Sequence, residues 1–250
     1  MKKLSQAIAL AGVMTAGLAA VSTAQAEVEV SASASIANMY LWRGQDLSAS
    51  SGVPAVSGDL TISTSGAYAG VWASSGDAVL GQEYDLFIGY GAEMGDFSYD
   101  VSLWTYVYPS AAETSYVAGD DPDTDDTVES AYAVTTADRG NTFDASDAIV
   151  SLGYKGASFT YYYPISSNPN DYSYMTLGYE MDALSATLGM ADSDDDASKY
   201  THLDLSYAYN DNIAFTLSKV VSQEADLDKG EAGVDEDLKV VVSYSLPISM

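Results

Sequence analysis

Segments that alternate apolar and polar residues run along nearly the whole chain, and short and long connections alternate between them. The short connections are 64–67, 93–96, 154–157, 180–183 and 210–212, and the long ones are roughly 43–53, 75–82, 110–145, 164–171, 191–199 and 222–236. Because every second connection of an up-and-down sheet lies at the same end, the tight turns gather at one end and the long loops at the other. Bacterial outer-membrane β-barrels have this arrangement, with short periplasmic turns and long external loops.

The alternation has a period of two residues, which places successive side chains on opposite faces of a strand. In the first segment, Val28, Val30 and Ile36 share one face, whereas Glu29 and Ser33 share the other. Twelve segments follow this pattern: 28–42, 53–63, 67–74, 82–92, 97–108, 145–154, 157–163, 172–181, 183–190, 200–209, 212–221 and 238–248. The sequence therefore predicts an all-β fold, a transmembrane antiparallel up-and-down β-barrel of about 12 strands with long acidic external loops.

The first 26 residues have the pattern of a secretory signal peptide. Lys2 and Lys3 give a positive start, 7–21 is apolar, and Ala24-Gln25-Ala26 offers a cleavage site between small residues. The apolar stretch is shorter than the ~20 residues that a membrane-spanning helix needs. We expect cleavage after Ala26, export to the periplasm, and a mature chain, 27–250, that forms a single outer-membrane barrel domain.

Acidic residues dominate the charge of the chain. There are 36 Asp and Glu against 9 Lys and Arg, which gives a formal net charge of −27. Such a surface repels nucleic acid, so we exclude a nucleic-acid partner. The acidic residues cluster in three long connections, at 113–147, 192–196 and 224–237, whereas the strands are nearly uncharged. The chain has no cysteine, which excludes a disulfide framework in an exported protein.

The 20 tyrosines gather near the ends of the predicted strands. Tyr40, Tyr106 and Tyr172 are among those predicted at the long-loop end, and Tyr90 and Tyr179 are among those at the short-turn end. Amphipathic aromatic rings prefer the headgroup layer of a bilayer. We therefore expect two aromatic belts, one at each membrane interface.

Residues 38–109 carry a resemblance to a known family. Tyr40-Leu41-Trp42-Arg43-Gly44 resembles the Tyr-x-Phe-Arg-Gly opening of the TorF family of porins, also known as the Gcw_chp domain family of proteobacterial outer-membrane proteins. Gly66-Ala67-Tyr68-Ala69-Gly70-Val71-Trp72 is similar to that family's Gly-x-Tyr-x-Gly-x-Trp block. The motif residues are Tyr40, Trp42, Arg43, Gly44, Tyr68, Gly70 and Trp72. The resemblance implies a porin-like barrel in the outer membrane and supplies no catalytic or ligand residues.

The C-terminal segment departs from the pattern of outer-membrane strands, which usually finish on an aromatic residue that the insertion machinery reads. This chain finishes Ser245-Leu246-Pro247-Ile248-Ser249-Met250. Pro247 also lacks the N–H that a strand ladder uses. We expect a weakened assembly signal, or a final strand that lies slightly earlier than 238–248.

Residues for nucleophilic catalysis are scarce. His202 is the one histidine, cysteine is absent, and no serine lies in a Gly-x-Ser-x-Gly elbow. His202 and Asp204 are two residues apart on a predicted strand and share a face, which we interpret as a hydrogen-bonded histidine in the lumen or at its rim. We therefore expect that the protein is not an enzyme.

Two acidic stretches resemble the start of a calcium-binding loop, since alternating carboxylates offer several oxygens to a hard cation. The candidate ligands are Asp121, Asp123, Asp125, Asp192, Asp194 and Asp196. Neither stretch completes an EF-hand, because Asp126 and Ala197 stand where a glycine is required. We expect no cofactor, with at most weak Ca²⁺ or Mg²⁺ binding on these otherwise solvated loops.

The polar faces of the strands give the strongest indication of function. If the apolar faces meet lipid, the lumen receives Asp59, Glu83, Asp85, Asp100, Glu180, His202, Asp204 and Lys239. Acidic residues dominate this set, and such a lumen concentrates cations and repels anions. We predict a porin for passive, cation-preferring diffusion of ions or small polar solutes, surrounded by outer-membrane lipid and lipopolysaccharide.

Three other functions remain open. A non-conducting barrel that acts as a surface-interaction scaffold agrees with the bulk of the 110–145 loop, which is also the segment we expect as a plug. A soluble periplasmic β-sandwich that binds a ligand is the next alternative. A barrel enzyme comes last, because the catalytic constellations are missing. The sequence does not determine the oligomeric state.

Overall fold

A computed structural model describes residues 28–48, 52–109, 113–118, 131–136, 143–225 and 233–249. The predicted signal peptide and most of the 110–145 loop lie outside these ranges, so both stay predictions. In the described ranges, no helix has the length and apolarity needed to cross a membrane.

The described residues form sixteen strands and one short 3-10 turn, Asp196–Ser198. The strands are β1 (Glu29–Ala37), β2 (Leu41–Trp42), β3 (Gln45–Asp46), β4 (Ala55–Thr64), β5 (Ala67–Asp77), β6 (Gly81–Met94), β7 (Phe97–Val107), β8 (Glu113–Ala118), β9 (Ala131–Thr136), β10 (Ser146–Tyr154), β11 (Ala157–Pro164), β12 (Ser173–Met181), β13 (Leu184–Asp192), β14 (Tyr200–Ala208), β15 (Ile213–Gln223) and β16 (Lys239–Ser249).

Twelve of these strands close into one barrel, in the order β1-β4-β5-β6-β7-β10-β11-β12-β13-β14-β15-β16 and back to β1. Every strand pairs antiparallel with its neighbours, and the wall closes where β1 meets β16. The remaining strands form two separate hairpins, β2-β3 and β8-β9. The predicted all-β class, antiparallel meander and strand number are confirmed.

The connections are sorted by end as predicted, with one exception in length. The stretch 75–82 is not a long loop, because β5 runs to Asp77 and β6 begins at Gly81. The Oδ1 atom of Asp77 accepts hydrogen bonds from the backbone N–H groups of Val79 at 2.8 Å and Leu80 at 2.7 Å. This side chain closes a tight turn that the composition of the segment did not indicate.

The expectation that the final strand ends early is wrong. β16 continues through Pro247, which lies opposite Ser33 of β1. The N–H of Ser245 donates to the carbonyl of Asn212 at 2.8 Å, on the side of β15. Two residues further, the nitrogen of Pro247 points the same way, but β15 begins only at Ile213, opposite Tyr244. The missing donor therefore costs no ladder hydrogen bond.

The outer face of the barrel is a continuous apolar surface. Large hydrophobic side chains that are at least 40% exposed occupy it: Leu60, Ile62, Leu86, Ile88, Val101, Leu103, Val150, Leu152, Leu177, Leu205, Leu217, Val240 and Leu246. A protein surrounded by water rarely exposes so large a patch. Around a closed barrel, such a band is the surface that meets lipid.

At the short-turn end, the outward-facing tyrosines agree with the predicted aromatic belt. Tyr90, Tyr179 and Tyr209 are 47%, 55% and 62% exposed on the outer face at the short-turn end. At the long-loop end the prediction is wrong for most tyrosines. Tyr106 and Tyr172, for example, point into the barrel and contact buried charged groups there. The interior therefore takes aromatic side chains that the sequence pattern assigned to the membrane interface.

The half of the interior nearer the long loops is filled by side chains. Trp104, Ile149, Tyr162, Tyr174, Ala191, Tyr200 and Val220 form a buried cluster. Phe87 packs on it, with its ring stacked on Trp104 at a centroid distance of 4.3 Å. A wall of this size encloses more space than eight strands, whose side chains alone fill the barrel. Here the additional space holds aromatic rings and a segment of chain.

Candidate functional site: a hairpin inside the barrel

The chain leaves the barrel wall after β1 and folds a small hairpin into the interior. We call residues 38–48 the inner hairpin. Its strands β2 and β3 pair antiparallel, and Arg43-Gly44 forms the turn, with φ angles of 48° and 79°. Leu41 and Arg43 are 5% and 6% exposed. The strand predicted over 28–42 therefore ends at Ala37, and its last residues belong to this hairpin.

The guanidinium of Arg43 is the centre of the contacts made by the inner hairpin. Its Nη2 atom pairs with Oδ2 of Asp147 on β10 at 3.0 Å, and each side chain is 7% exposed. Its Nη1 atom donates to the hydroxyl of Tyr172 at 3.2 Å. The Cζ atom lies 4.3 Å from the ring centroid of Trp42 and 4.6 Å from that of Tyr174. These contacts join the hairpin to β10, and to β12 with the residue that precedes it.

Arg43 keeps its charge in this buried position. Burial by itself lowers the pKa of the guanidinium, but Tyr172, Tyr106 and Asp147 together outweigh burial and leave the pKa above its ordinary value. Removing one partner of a buried ion pair strands the other charge, at a cost of about 3–5 kcal/mol. The pair therefore holds the inner hairpin in the barrel.

A second anchor joins the start of the inner hairpin to β6. The hydroxyl of Tyr40 donates to Oε2 of Glu83 at 2.7 Å, and the hydroxyl of Tyr108 donates to Oε1 at 2.7 Å. Burial foremost, and then the charge of Glu83, raises the pKa of both phenols, which keeps them protonated as donors. The ring of Tyr40 also lies 6.0 Å from that of Trp72. The two stretches that resemble the TorF family, 40–44 and 66–72, thus meet inside the barrel through Tyr40 and Trp72.

The tip of the inner hairpin rests against His202 of β14. A Cβ atom on Gly44 would lie 2.5 Å from Cγ of His202, so glycine is required at this approach. The imidazole is held on both sides: Nδ1 lies 3.0 Å from Oδ1 of Asp204, and Nε2 lies 2.7 Å from the hydroxyl of Tyr174. Tyr200 donates its hydroxyl to the carbonyl of Arg43 at 2.9 Å. His202 is therefore a hydrogen-bonded part of the wall beneath the hairpin.

The predicted pore-lining residues all lie on the inner side of the wall. They are Asp59, Glu83, Asp85, Asp100, Glu180, His202, Asp204 and Lys239, of which Asp59 and Glu180 are partly exposed and the others buried. Both oxygens of Asp100 accept from the hydroxyl of Tyr68 at 2.9 Å. Lys239 donates to the carbonyl of Asp235 at 2.8 Å. That these side chains line a water-filled passage stays a prediction.

Those candidate metal ligands of the loops that the structure describes are not assembled into a site. Asp121, Asp123 and Asp125 lie outside the described residues. Asp192, Asp194 and Asp196 are exposed, and Asp196 pairs with Lys199 at 2.8 Å. Within the described ranges, no group of three or more His, Asp or Glu side chains is placed to hold a metal ion.

Four residues whose side chains contact the guanidinium of Arg43 were not among the predicted site residues: Asp147, Tyr162, Tyr172 and Tyr174. The strand pattern contained a signal for Asp147, since Ala148 and Val150 face outward and the alternation turns Asp147 inward. Nothing local showed that residues after Ala37 turn into the barrel to meet it. The partners of Arg43 come from β10, from β11, and from β12 with the residue that precedes it, far along the chain, so the contact is a property of the closed barrel.

The fold and the site together define a closed antiparallel β-barrel with an apolar outer band and a hairpin folded into its interior. The chain belongs to the family described as bacterial proteins of unknown function (Gcw_chp), whose family model matches residues 21–226. No curated protein matches the sequence.

Solved structures to which the chain shows similarity include outer-membrane proteins. An outer-membrane channel from Pseudomonas putida F1 is 12% identical, with a TM-score of 0.38 over 94% of this chain and 99% of that one. A variant of the Rh. blastica porin is 14% identical, with a TM-score of 0.34 over 89% of this chain and 100% of that one. Similarity of this degree does not identify a function for this chain. The function is therefore argued from the barrel and its interior.

Proposed function

We propose that this protein is an outer-membrane porin with a narrow passage, through which ions and small polar solutes diffuse passively and cations are preferred. The observation that carries the proposal is a closed twelve-stranded wall with an apolar outer face and a polar, acidic inner face. In hydrocarbon, every backbone N–H and C=O needs a partner, which a closed barrel supplies and an open sheet does not. Membership of the TorF porins, which the resemblance of residues 38–109 suggests, is part of this proposal.

The same geometry supports an outer-membrane location. The barrel strands have 8 to 14 residues, around the ~9–11 that a tilted strand needs to cross a bilayer. The tight turns would face the periplasm, and the acidic loops would face the outside. Under this proposal the partners are outer-membrane lipid, lipopolysaccharide and the passing solutes, and the protein has no cofactor and no catalytic role.

The preference for cations is proposed from the balance of charges inside. Arg43 is neutralised by Asp147 at 3.0 Å, and Lys239 pairs with Asp235 at 3.3 Å. Asp59 and Glu180 are partly exposed on the inner face, and neither forms an ion pair with another described residue. Uncompensated carboxylates in a low-dielectric tube attract cations and repel anions.

A reversal potential tests this function. In a planar bilayer with a KCl gradient, the wild type should give discrete conductance steps and a cation-selective reversal potential. The double variant Asp59→Asn, Glu180→Gln should move that potential toward zero. Asp96→Asn is the control. It removes a charge from an exposed turn at the same end of the barrel as Glu180 but outside the lumen, and it should leave the reversal potential unchanged. A wild-type potential that is not cation-selective contradicts the preference, and an unchanged potential in the conducting double variant contradicts its assignment to Asp59 and Glu180.

A non-conducting barrel that serves as a surface scaffold is the second candidate. The packed interior favours it, because Tyr162, Tyr174 and Tyr200 are only 7%, 3% and 8% exposed around the inner hairpin. This alternative predicts that wild-type protein inserts into the bilayer, migrates as a folded barrel on a gel, and passes no current.

A further inference from the structure

We propose that Glu83 and Asp85 hold one divalent metal cation inside the barrel, next to the inner hairpin. The two residues are two positions apart on β6, so both side chains point inward. They are 1% and 0% exposed. The proposal concerns binding in the folded protein and does not depend on whether the barrel conducts.

The carboxylate of Asp85 has no hydrogen-bond donor, and the group it meets is the carboxyl of Glu83. Neither of its oxygens receives a hydrogen bond, although both are buried from solvent. Glu83, in contrast, has a phenol donor on each oxygen, from Tyr40 and Tyr108. Buried charged groups are almost always paired, hydrogen-bonded or bound to a metal. The geometry thus leaves Asp85 aimed at a position that a cation would fill.

No basic side chain of the described residues compensates this pair. Arg43 is committed to Asp147 at 3.0 Å, and Lys239 turns to the loop before β16, where it meets Asp235 at 3.3 Å. None of the ion pairs between described residues includes Glu83 or Asp85. When both carboxylates of this adjacent pair are ionised they carry two negative charges, which a divalent cation would neutralise.

The surroundings of the pair suit a hard cation. Two carboxylates offer up to four oxygens, and Ca²⁺ takes oxygen ligands at about 2.3–2.6 Å. The phenol oxygens of Tyr40 and Tyr108 lie beside Glu83, and water would supply the rest of the shell. Across the strands, Asp85 is in register with Trp72 and Tyr106. A cation here would tie β6 to the inner hairpin through Glu83 and Tyr40.

Calorimetric titration of the full-length protein, folded in detergent and stripped of metal with EDTA, tests the site. CaCl₂ and MgCl₂ are the probes, and the heat-modified gel shift reports folding. We expect one binding event per barrel and a rise in the unfolding temperature. Asp85→Asn should weaken this event by about 100-fold, since changes even in the outer shell of a metal site cost about 10- to 100-fold.

Two further variants make the outcome decisive. Glu83→Gln keeps an acceptor oxygen for one of the two phenols and should lose binding as Asp85→Asn does, which preserves the test if one variant fails to fold. Asp100→Asn removes an interior carboxylate that Tyr68 already satisfies, and it should leave the affinity unchanged. Equal isotherms for the wild type and the folded Asp85→Asn variant would assign the binding to the external loops. Absence of binding, with stability that rises on acidification, would show a shared proton instead of a metal.

Discussion

At the scale of the residue, the interior depends on the difference between buried and exposed charge. Arg43 and Asp147 pair with 7% exposure on each side chain. Lys155 and Asp96 pair at 3.4 Å between two neighbouring turns, with 59% and 63% exposure. Exposed pairs gain little because water and salt screen them, whereas the buried pair leaves an uncompensated charge when one partner is removed.

Arg43→Ala should therefore destabilise the barrel far more than Lys155→Ala. We expect a loss of about 3–5 kcal/mol for the buried pair and less than about 1 kcal/mol for the exposed one. Urea-induced unfolding in lipid vesicles, followed by tryptophan fluorescence, measures both. Equal small losses would mean that Arg43 does not anchor the inner hairpin.

At the scale of the element, β16 shows that a strand tolerates a proline where the neighbouring strand offers no partner for its nitrogen. Proline is disfavoured inside a sheet because it cannot donate to the ladder. Pro247 lies beyond the start of β15, so its nitrogen faces no strand on that side. Ser245, two residues earlier, does use its N–H, with the carbonyl of Asn212 at 2.8 Å.

The two positions should respond in opposite ways to substitution. Pro247→Ala should change the free energy of unfolding by less than about 0.5 kcal/mol. Ser245→Pro should cost about 3 kcal/mol or more, because it removes a made hydrogen bond and clashes with the ladder. The same urea titration compares them. A clear gain in stability from Pro247→Ala would show that the proline interrupts the ladder after all.

Strands and inner hairpin also differ in how far the sequence could predict them. The period of two fixes which residues share a face, so the wall and the inward placement of Glu83, Asp85 and Asp204 followed from the pattern. The inner hairpin did not, because Leu41-Trp42 continues an alternating segment and nothing local marks the exit at Ala37. Its inward fold follows from Arg43 meeting Asp147, about one hundred residues away.

At the scale of the whole molecule, the barrel combines a lipid-compatible outside with an interior that is crowded toward the long loops. The formal net charge of −27 is concentrated in the loops, and the partly exposed Asp59 and Glu180 carry negative charge inside. Conduction then depends on the space that the inner hairpin leaves free. The hairpin should be the narrowest part of the passage, because it contacts the wall through β5, β6, β10, β12 and β14.

The most direct measurement is single-channel conductance of the wild type beside a variant in which a Gly-Ser linker replaces residues 39–47. A variant with the same linker in place of 165–171, a loop at the same end, is the control. Both variants must show the gel shift of a folded barrel. We predict small steps for the wild type and the control, and steps several-fold larger without the inner hairpin. Silence from both the wild type and the hairpin-less variant, each shown to be inserted, would contradict the porin.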